Sequence, residues 1–220
     1  KVEKAQVLVQ KMKEGLDVAL ITDAGTPAIS DPGEVLVRLC QQEGITVTSL
    51  PGAAACITAL TLSGLSTRRF CFEGFLPPEK KEKAEILGLL AEETRTMILY
   101  EAPHRLVRTL KELYEALGER KLTICRELTK KFETVMPTTL EGALAFYETE
   151  EPRGEYVLVI EGKSLLQIKQ ERQEGFLNLS IEEHMKRYEG EGMERKEAMK
   201  MVAKDRGISK REIYQYMLDK

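Results

Sequence analysis

Between residues 1 and 162, short runs dense in Val, Ile, Leu and Thr take turns with longer segments whose apolar residues recur every three to four positions. A chain patterned this way has few folding options. The short runs read as strands and the longer ones as amphipathic helices, and strands separated by helices build a mixed or parallel sheet with helices on its faces. The fold class is α/β. Strands are predicted at about 17–22, 45–50, 95–100, 121–127 and 155–161, and Phe70-Cys71-Phe72-Glu73 predicts a shorter one that starts a second sheet. Val2, Ala5, Leu8, Val9 and Met12 have the spacing of an amphipathic helix over 2–14, and further helices are expected at 34–43, 53–63, 80–92, 104–117 and 140–147.

At 220 residues, with 42% hydrophobic and 31% charged positions, the chain is long enough for one large domain or a medium one plus a small one, and too apolar for disorder. The uncharged stretch Val47–Thr67 contains Pro51, Gly52 and Gly64, which fits a buried strand, turn and helix better than a membrane span. The N-terminal residues show no secretory pattern. Cys40, Cys56, Cys71 and Cys125 form no CxxC pair and sit in apolar surroundings, so free thiols in a reducing cytoplasm are expected. With His104 and His184 the only histidines, no metal site is expected. Residues 1–162 carry 20 Lys and Arg against 25 Asp and Glu, and residues 163–220 carry 13 against 11; neither balance demands a nucleic-acid partner.

Three strand ends carry unusual chemistry. Thr22-Asp23-Ala24-Gly25-Thr26-Pro27-Ala28-Ile29-Ser30-Asp31-Pro32-Gly33 follows the apolar run Val18–Ile21. It could be a tight strand-to-helix turn, but its length and its two X-Pro bonds favour a ligand loop at the carboxyl edge of a sheet. Leu50-Pro51-Gly52-Ala53-Ala54-Ala55 reads equally as a ligand turn at a helix N-terminus or as close helix–sheet packing. Tyr100-Glu101-Ala102-Pro103-His104-Arg105 places Pro103 at a helix start, with His104 and Arg105 in the first turn. Arg126-Glu127-Leu128-Thr129-Lys130-Lys131 follows a further strand. No GxGxxG or GxxxxGK[ST] phosphate motif is present, which argues against an ordinary nucleotide site.

Beyond Gly162 a polar linker is expected over Lys163–Gly175. Ser180-Ile181-Glu182-Glu183 and Ser209-Lys210-Arg211-Glu212 match the capping box, and Ala198, Met199, Val202 and Ala203 fall at helical spacing between them. Ala203, Gly207 and Ile213 have the spacing of a helix-turn-helix, with Lys210 and Arg211 opening its second helix as candidate nucleic-acid contacts. A small docking or dimerisation module is the alternative.

The three strand-end motifs, with Phe72-Glu73-Gly74-Phe75-Leu76-Pro77, Arg126-Glu127-Leu128-Thr129-Lys130 and Arg153-Gly154-Glu155-Tyr156-Val157, resemble the tetrapyrrole-methylase superfamily. Within it the resemblance is to the branch of bacterial ribosomal RNA small-subunit methyltransferase I, some members of which carry a helix-turn-helix-like tail. It implies a two-domain tetrapyrrole-methylase-like fold of mixed sheets flanked by helices, plus a small C-terminal helical module. The division expected is 1–66 for the donor-binding domain, 67–162 for the second domain, 163–177 for the linker and 178–220 for the module. It further implies S-adenosyl-L-methionine as cofactor, the ribose 2′-hydroxyl of a cytidine in 16S rRNA as target, a cytoplasmic setting and a homodimer. By position, Asp23, Ala24, Gly25, Thr26, Pro27, Ile29, Pro51, Gly52, Ala53 and Ala54 would line the donor pocket. Tyr100 and Leu128 would lie nearby, and Gly154 and Glu155 would close it. The family begins with a strand and glycine-rich turn that this sequence does not contain ahead of Lys1, so the pocket is expected to lack one wall and this stretch alone to be an inactive fragment.

Methyl transfer to a weakly acidic hydroxyl asks for alignment and for removal of a proton. Glu101 or Glu127, with His104 as third choice, are the candidate bases, and Arg105, Arg126, Lys130, Lys210 and Arg211 are candidate RNA contacts. Two rivals remain open here: a methyltransferase of the same superfamily acting on a tetrapyrrole or another small substrate, and a metabolite-sensing DNA-binding regulator.

Overall fold

The computed structural model describes residues 2–177 and 179–218, in two compact units, Lys1–Gly162 and Lys163–Lys220. The first unit runs α1 (Val2–Lys13), α2 (Glu34–Gln42), α3 (Ala55–Leu62), β1 (Phe70–Gly74), α4 (Lys80–Ala91), β2 (Thr96–Glu101), α5 (Pro103–Leu117), β3 (Lys121–Arg126), β4 (Thr134–Thr139), α6 (Leu140–Phe146) and β5 (Tyr156–Ile160). Its strands form one mixed sheet in the order β1-β2-β5-β3-β4, parallel between β1 and β2 and antiparallel elsewhere.

The period-2 alternation of the strands sorts the core onto two faces. Met97, Leu99, Leu122, Ile124, Leu158 and Ile160 point to the face covered by α5 and α6, where Leu106, Leu110, Leu113, Leu117, Leu140 and Ala143 are buried. Ile98, Cys125, Val157 and Val159 point the other way, onto Cys56, Ala59 and Leu60 of α3. Because β2, β3 and β5 are covered on both faces, their sequences are almost unbroken apolar runs. The four leucines of α5 follow one helical stripe, and each contributes about 1.5–3 kcal/mol of transfer free energy.

Several expectations need correcting. Residues 17–22 and 45–50 make no strand pairing among the described residues, and Ile21 and Leu50 are 84% and 83% exposed. Apolar composition favours a strand but cannot supply the ladder of hydrogen bonds that only a partner provides. Phe70–Gly74 starts no second sheet; it forms one edge of the same sheet through β2. Thr134–Thr139, which contains Pro137 and is not among the expected strands, pairs with β3 along its whole length. As an edge strand it has one side free of pairing, where a residue without an N–H is tolerated.

The second unit contains α7 (Leu165–Leu177), α8 (Ile181–Gly190), α9 (Arg195–Arg206) and α10 (Lys210–Leu218). The stretch expected as an irregular linker is helical over Leu165–Leu177. The overlooked signal is a capping box: Gln167 N–H donates to Ser164 Oγ at 3.1 Å, and Ser164 N–H to Gln167 Oε1 at 2.9 Å. The other two boxes form as expected, Ser180 with Glu183 and Ser209 with Glu212. Met185, Ala198, Val202, Ala203 and Ile213 make the core, and Gly207 turns α9 into α10 with φ 65°. His184 is buried, stacked on Phe176 and Tyr188, and accepts from Arg206 Nε through Nδ1 at 3.3 Å. Burial, then the Arg206 charge, lowers its pKa.

Candidate functional site

Gly74, Glu101, Arg126, Thr134 and Tyr156 all fall on one edge of the sheet, because the antiparallel strands run their starts beside the ends of β2 and β3. Two of the segments that the sequence singles out, those after Tyr100 and after Arg126, leave the sheet at this edge. Tyr100 is their common neighbour. Its hydroxyl accepts from the Cys56 N–H at the start of α3 at 3.1 Å, and its ring meets Phe72 and Phe75 edge-on, with centroids 4.8 and 5.7 Å away. Burial first, then the nearby Cys56 thiol and Asp31, push this hydroxyl up to about 12, so it keeps its proton.

The two N-terminal loops are fastened together. Thr26 Oγ1 donates to the Ala53 carbonyl at 3.0 Å, and Thr22 Oγ1 closes its own turn onto the Ala24 carbonyl at 3.2 Å. A Cβ on Gly25 would sit 3.3 Å from that same Ala53 oxygen, a tight contact, and its φ of 76° strains any residue with a side chain. Ser30 lies against Gly74: a Cβ there would be 3.3 Å from its Oγ. Asp23, Ala24, Gly25, Ile29, Pro51, Gly52 and Ala53 are exposed, and Thr26, Pro27 and Ala54 half-buried, so the fastened loops present small, accessible backbone.

The other half of the edge is a charged clasp. Glu127 N–H donates to the Glu155 carbonyl at 3.0 Å, and Glu155 N–H returns the bond to Glu127 Oε1 at 2.8 Å. Lys130 Nζ binds Glu155 Oε2 at 2.7 Å and Glu127 Oε1 at 3.2 Å. The Glu155 amide, then Lys130, hold the Glu127 carboxyl below its usual range, and Glu155 and Glu127 hold Lys130 above its own. Gly154 allows this approach, since a Cβ on it would stand 2.6 Å from Glu127 Cγ. Leu128 packs onto the α3 face of the sheet, in the same cluster as Tyr100.

The described non-glycine residues with positive φ are Ala28, Ser30, Glu127 and Thr129. Two lie in the first loop and two in the clasp. Strain of order 1–3 kcal/mol per residue concentrates where a ligand must be met by a fixed backbone.

The candidate bases differ sharply in access. Glu101 is 2% exposed; Thr109 Oγ1 donates to its Oε2 at 2.5 Å, the Ala102 N–H to its Oε1 at 2.8 Å, and Arg105 Nε stands 3.5 Å away. No substrate reaches it. Glu127 is half-buried and engaged as above, while His104 is exposed on the first turn of α5. Arg105 is largely committed, to Glu101 and to the Leu76 carbonyl at 2.7 Å. Arg126 donates through Nη2 to the Phe132 carbonyl at 3.4 Å, and its buried Nε has no hydrogen-bond partner among the described residues. Lys210 and Arg211 open α10 in the second unit, half-buried and exposed. Sequence reasoning overlooked Thr109, which lies eight residues from its partner across a strand-to-helix turn, and Phe132, whose exposure no pattern foretells.

Residues 1–144 match the family described as tetrapyrrole (corrin/porphyrin) methylases. The chain is 42% identical over 217 residues to the ribosomal RNA small subunit methyltransferase I of Synechocystis sp., covering 98% of this chain and 76% of that protein. It is 44% identical over 221 residues to the protein of the same name from Pasteurella multocida, covering 99% and 76%. Among solved structures, that of the methyltransferase CobJ superposes with a TM-score of 0.56 at 19% identity, over 73% of this chain and 71% of that one, which is a likeness of fold.

Proposed function

We propose, since the chain belongs to the tetrapyrrole methylase family and within it to the ribosomal RNA small subunit methyltransferase I group, that it methylates the ribose 2′-oxygen of a cytidine in 16S rRNA. The observation that carries this reading is the convergence of the Asp23–Ile29 loop, the Pro51–Ala54 turn and Tyr100 on one sheet edge through the Thr26–Ala53 and Cys56–Tyr100 hydrogen bonds. S-adenosylmethionine, the methyl donor of this family, supplies an activated methyl on a sulfonium.

The residues present fit such a donor. Gly25, Gly52 and Ala53 leave backbone approachable where larger side chains would block it, and the Cys56 N–H holds the protonated Tyr100 hydroxyl in place. Asp23 to Ile29 and Pro51 to Ala54 would hold the donor from one side, with Tyr100 and Leu128 beneath. Gly154 and Glu155 would close the other side, where the clasp fixes them. Their contribution to rate is alignment of methyl and hydroxyl oxygen.

The buried hydrogen bonds of Glu101 assign it to anchoring α5 beneath the site. A carboxylate held below its usual pKa, as Glu127 is, makes a poor base near neutrality, and its role is to hold Glu155 and Lys130. The proton-accepting role then falls to the exposed His104. Arg126 and Lys130 would meet phosphates beside the target nucleotide, and Lys210 and Arg211 would be further phosphate contacts. A homodimer and a cytoplasmic setting belong to the same reading.

The test is calorimetry with S-adenosylhomocysteine on the full-length protein, then transfer of labelled methyl to unmodified 16S rRNA or small subunits. A 2′-O-methyl group blocks alkaline cleavage of the adjacent phosphodiester, so the product maps to one cytidine. Heat of binding with label in no RNA would point to a small substrate. No heat at all would sink the reading.

A further inference from the structure

The segment that joins β3 to β4 carries an aromatic side chain for which the fold has no use. Phe132 is 64% exposed, on a loop held from both ends. Arg126 Nη2 donates to its carbonyl, the Thr129 N–H donates to Glu133 Oε2 at 2.6 Å, and Lys130 N–H closes a turn onto the Glu127 carbonyl at 2.9 Å. Glu127 and Lys130 tie the base of the loop to Glu155. The Lys131 ammonium lies 5.5 Å from the centre of the Phe132 ring, and the described structure gives Lys131 no ion pair.

A single exposed hydrophobic residue is ordinary on a protein surface. An exposed ring on a loop fastened by these contacts, two of its residues at positive φ, is less so. The rigidity means that a partner landing on the ring orders little else. The ring offers a flat π-face, Lys131 a cation within reach of a phosphate, and the loop starts at the edge where the donor-binding motifs converge. A ribose hydroxyl is accessible even in a paired helix, so what calls for unstacked nucleotides is the choice of one site by sequence, and splayed bases are held by stacking on aromatic side chains.

We infer that Phe132 is a stacking platform for an unstacked base of the RNA substrate next to the methylated nucleotide, with Lys131 on the adjoining phosphate. This rests on the RNA-methyltransferase reading above. Phe132 is an RNA-positioning residue and takes no part in donor binding.

The experiment measures binding of a labelled single-stranded 16S oligonucleotide, by fluorescence anisotropy, to the full-length protein and to Phe132→Ala, Phe132→Leu, Phe132→Tyr and Lys131→Ala. S-adenosylhomocysteine calorimetry and methyl transfer run beside it. F132A and F132L are expected to bind RNA roughly 5- to 150-fold more weakly, with a matching rise in KM, while F132Y stays near wild type and all bind the donor product equally. K131A should lower the salt slope of RNA binding by about one. F132L separates stacking from mere apolar contact, because it keeps the bulk and loses the ring. Wild-type RNA affinity in F132A and F132L, in a protein that methylates rRNA, overturns the inference and leaves the function standing. A wild-type protein that binds the donor product but no RNA overturns both.

Discussion

Replacing Thr109 by valine keeps the shape of the side chain and removes one hydrogen bond. In the structure Thr109 is 3% exposed and donates to Glu101 Oε2 at 2.5 Å, and Glu101 is 2% exposed. A hydrogen bond to a charged acceptor contributes about 1.5–3 kcal/mol, and here the carboxylate oxygen left behind has no water to turn to. Thr109→Val should therefore cost about 1.5–3 kcal/mol, or roughly 3–12 °C in Tm for a unit of this size. Thr109→Ser keeps the hydroxyl and loses one methyl, about 0.8 kcal/mol. Hydrophobic burial alone predicts the reverse ranking, with valine the milder change. Urea titrations followed by hydrogen exchange on peptides from β2 and α5 would rank the variants. A serine variant less stable than the valine one would refute the claim that Glu101 is held by a buried charged hydrogen bond.

Gly154→Ala places a Cβ 2.6 Å from Glu127 Cγ at a φ of 82°, and should lower stability by about 1–3 kcal/mol in denaturant melts while weakening binding of S-adenosylhomocysteine. Glu127→Gln tests the clasp through pH. The Glu155 amide and Lys130 lower the folded-state pKa of Glu127, so its stabilisation is fully present above the ordinary carboxylate pKa and is lost as pH falls through the folded value. Thermal melts should show wild type above the variant at neutral pH and the two converging as the solution is acidified through the lowered carboxyl pKa; a constant gap would refute the assignment.

The helices of the first unit were largely legible because each carries its own instructions. The Leu106-Leu110-Leu113-Leu117 stripe, Pro103 at the first position and Gly118 at the cap define α5 with no reference to the rest of the chain. The same holds for the capping boxes at Ser164, Ser180 and Ser209, each closed within four residues. Strands carry no such internal closure. Residues 17–22 and Thr134–Thr139 show this from opposite sides: the first is apolar and unpaired, the second contains Pro137 and is a full partner of β3.

The candidate site divides along the same line. Its motifs were readable as loops, since Gly, Pro and short polar residues after an apolar run mark a loop whatever the fold. Their meeting was not, because strand order and direction bring Tyr156 beside Glu101 and Arg126. Nor could a residue type say which way it points: Glu101 turns inward to Thr109 while Phe132 stays in solvent. Local chemistry set the helices, the turns and the small residues that let backbones touch. Only the tertiary structure decided which runs found partners and which carboxylates kept access to solvent, because pairing and burial belong to two segments at once and are written in neither alone.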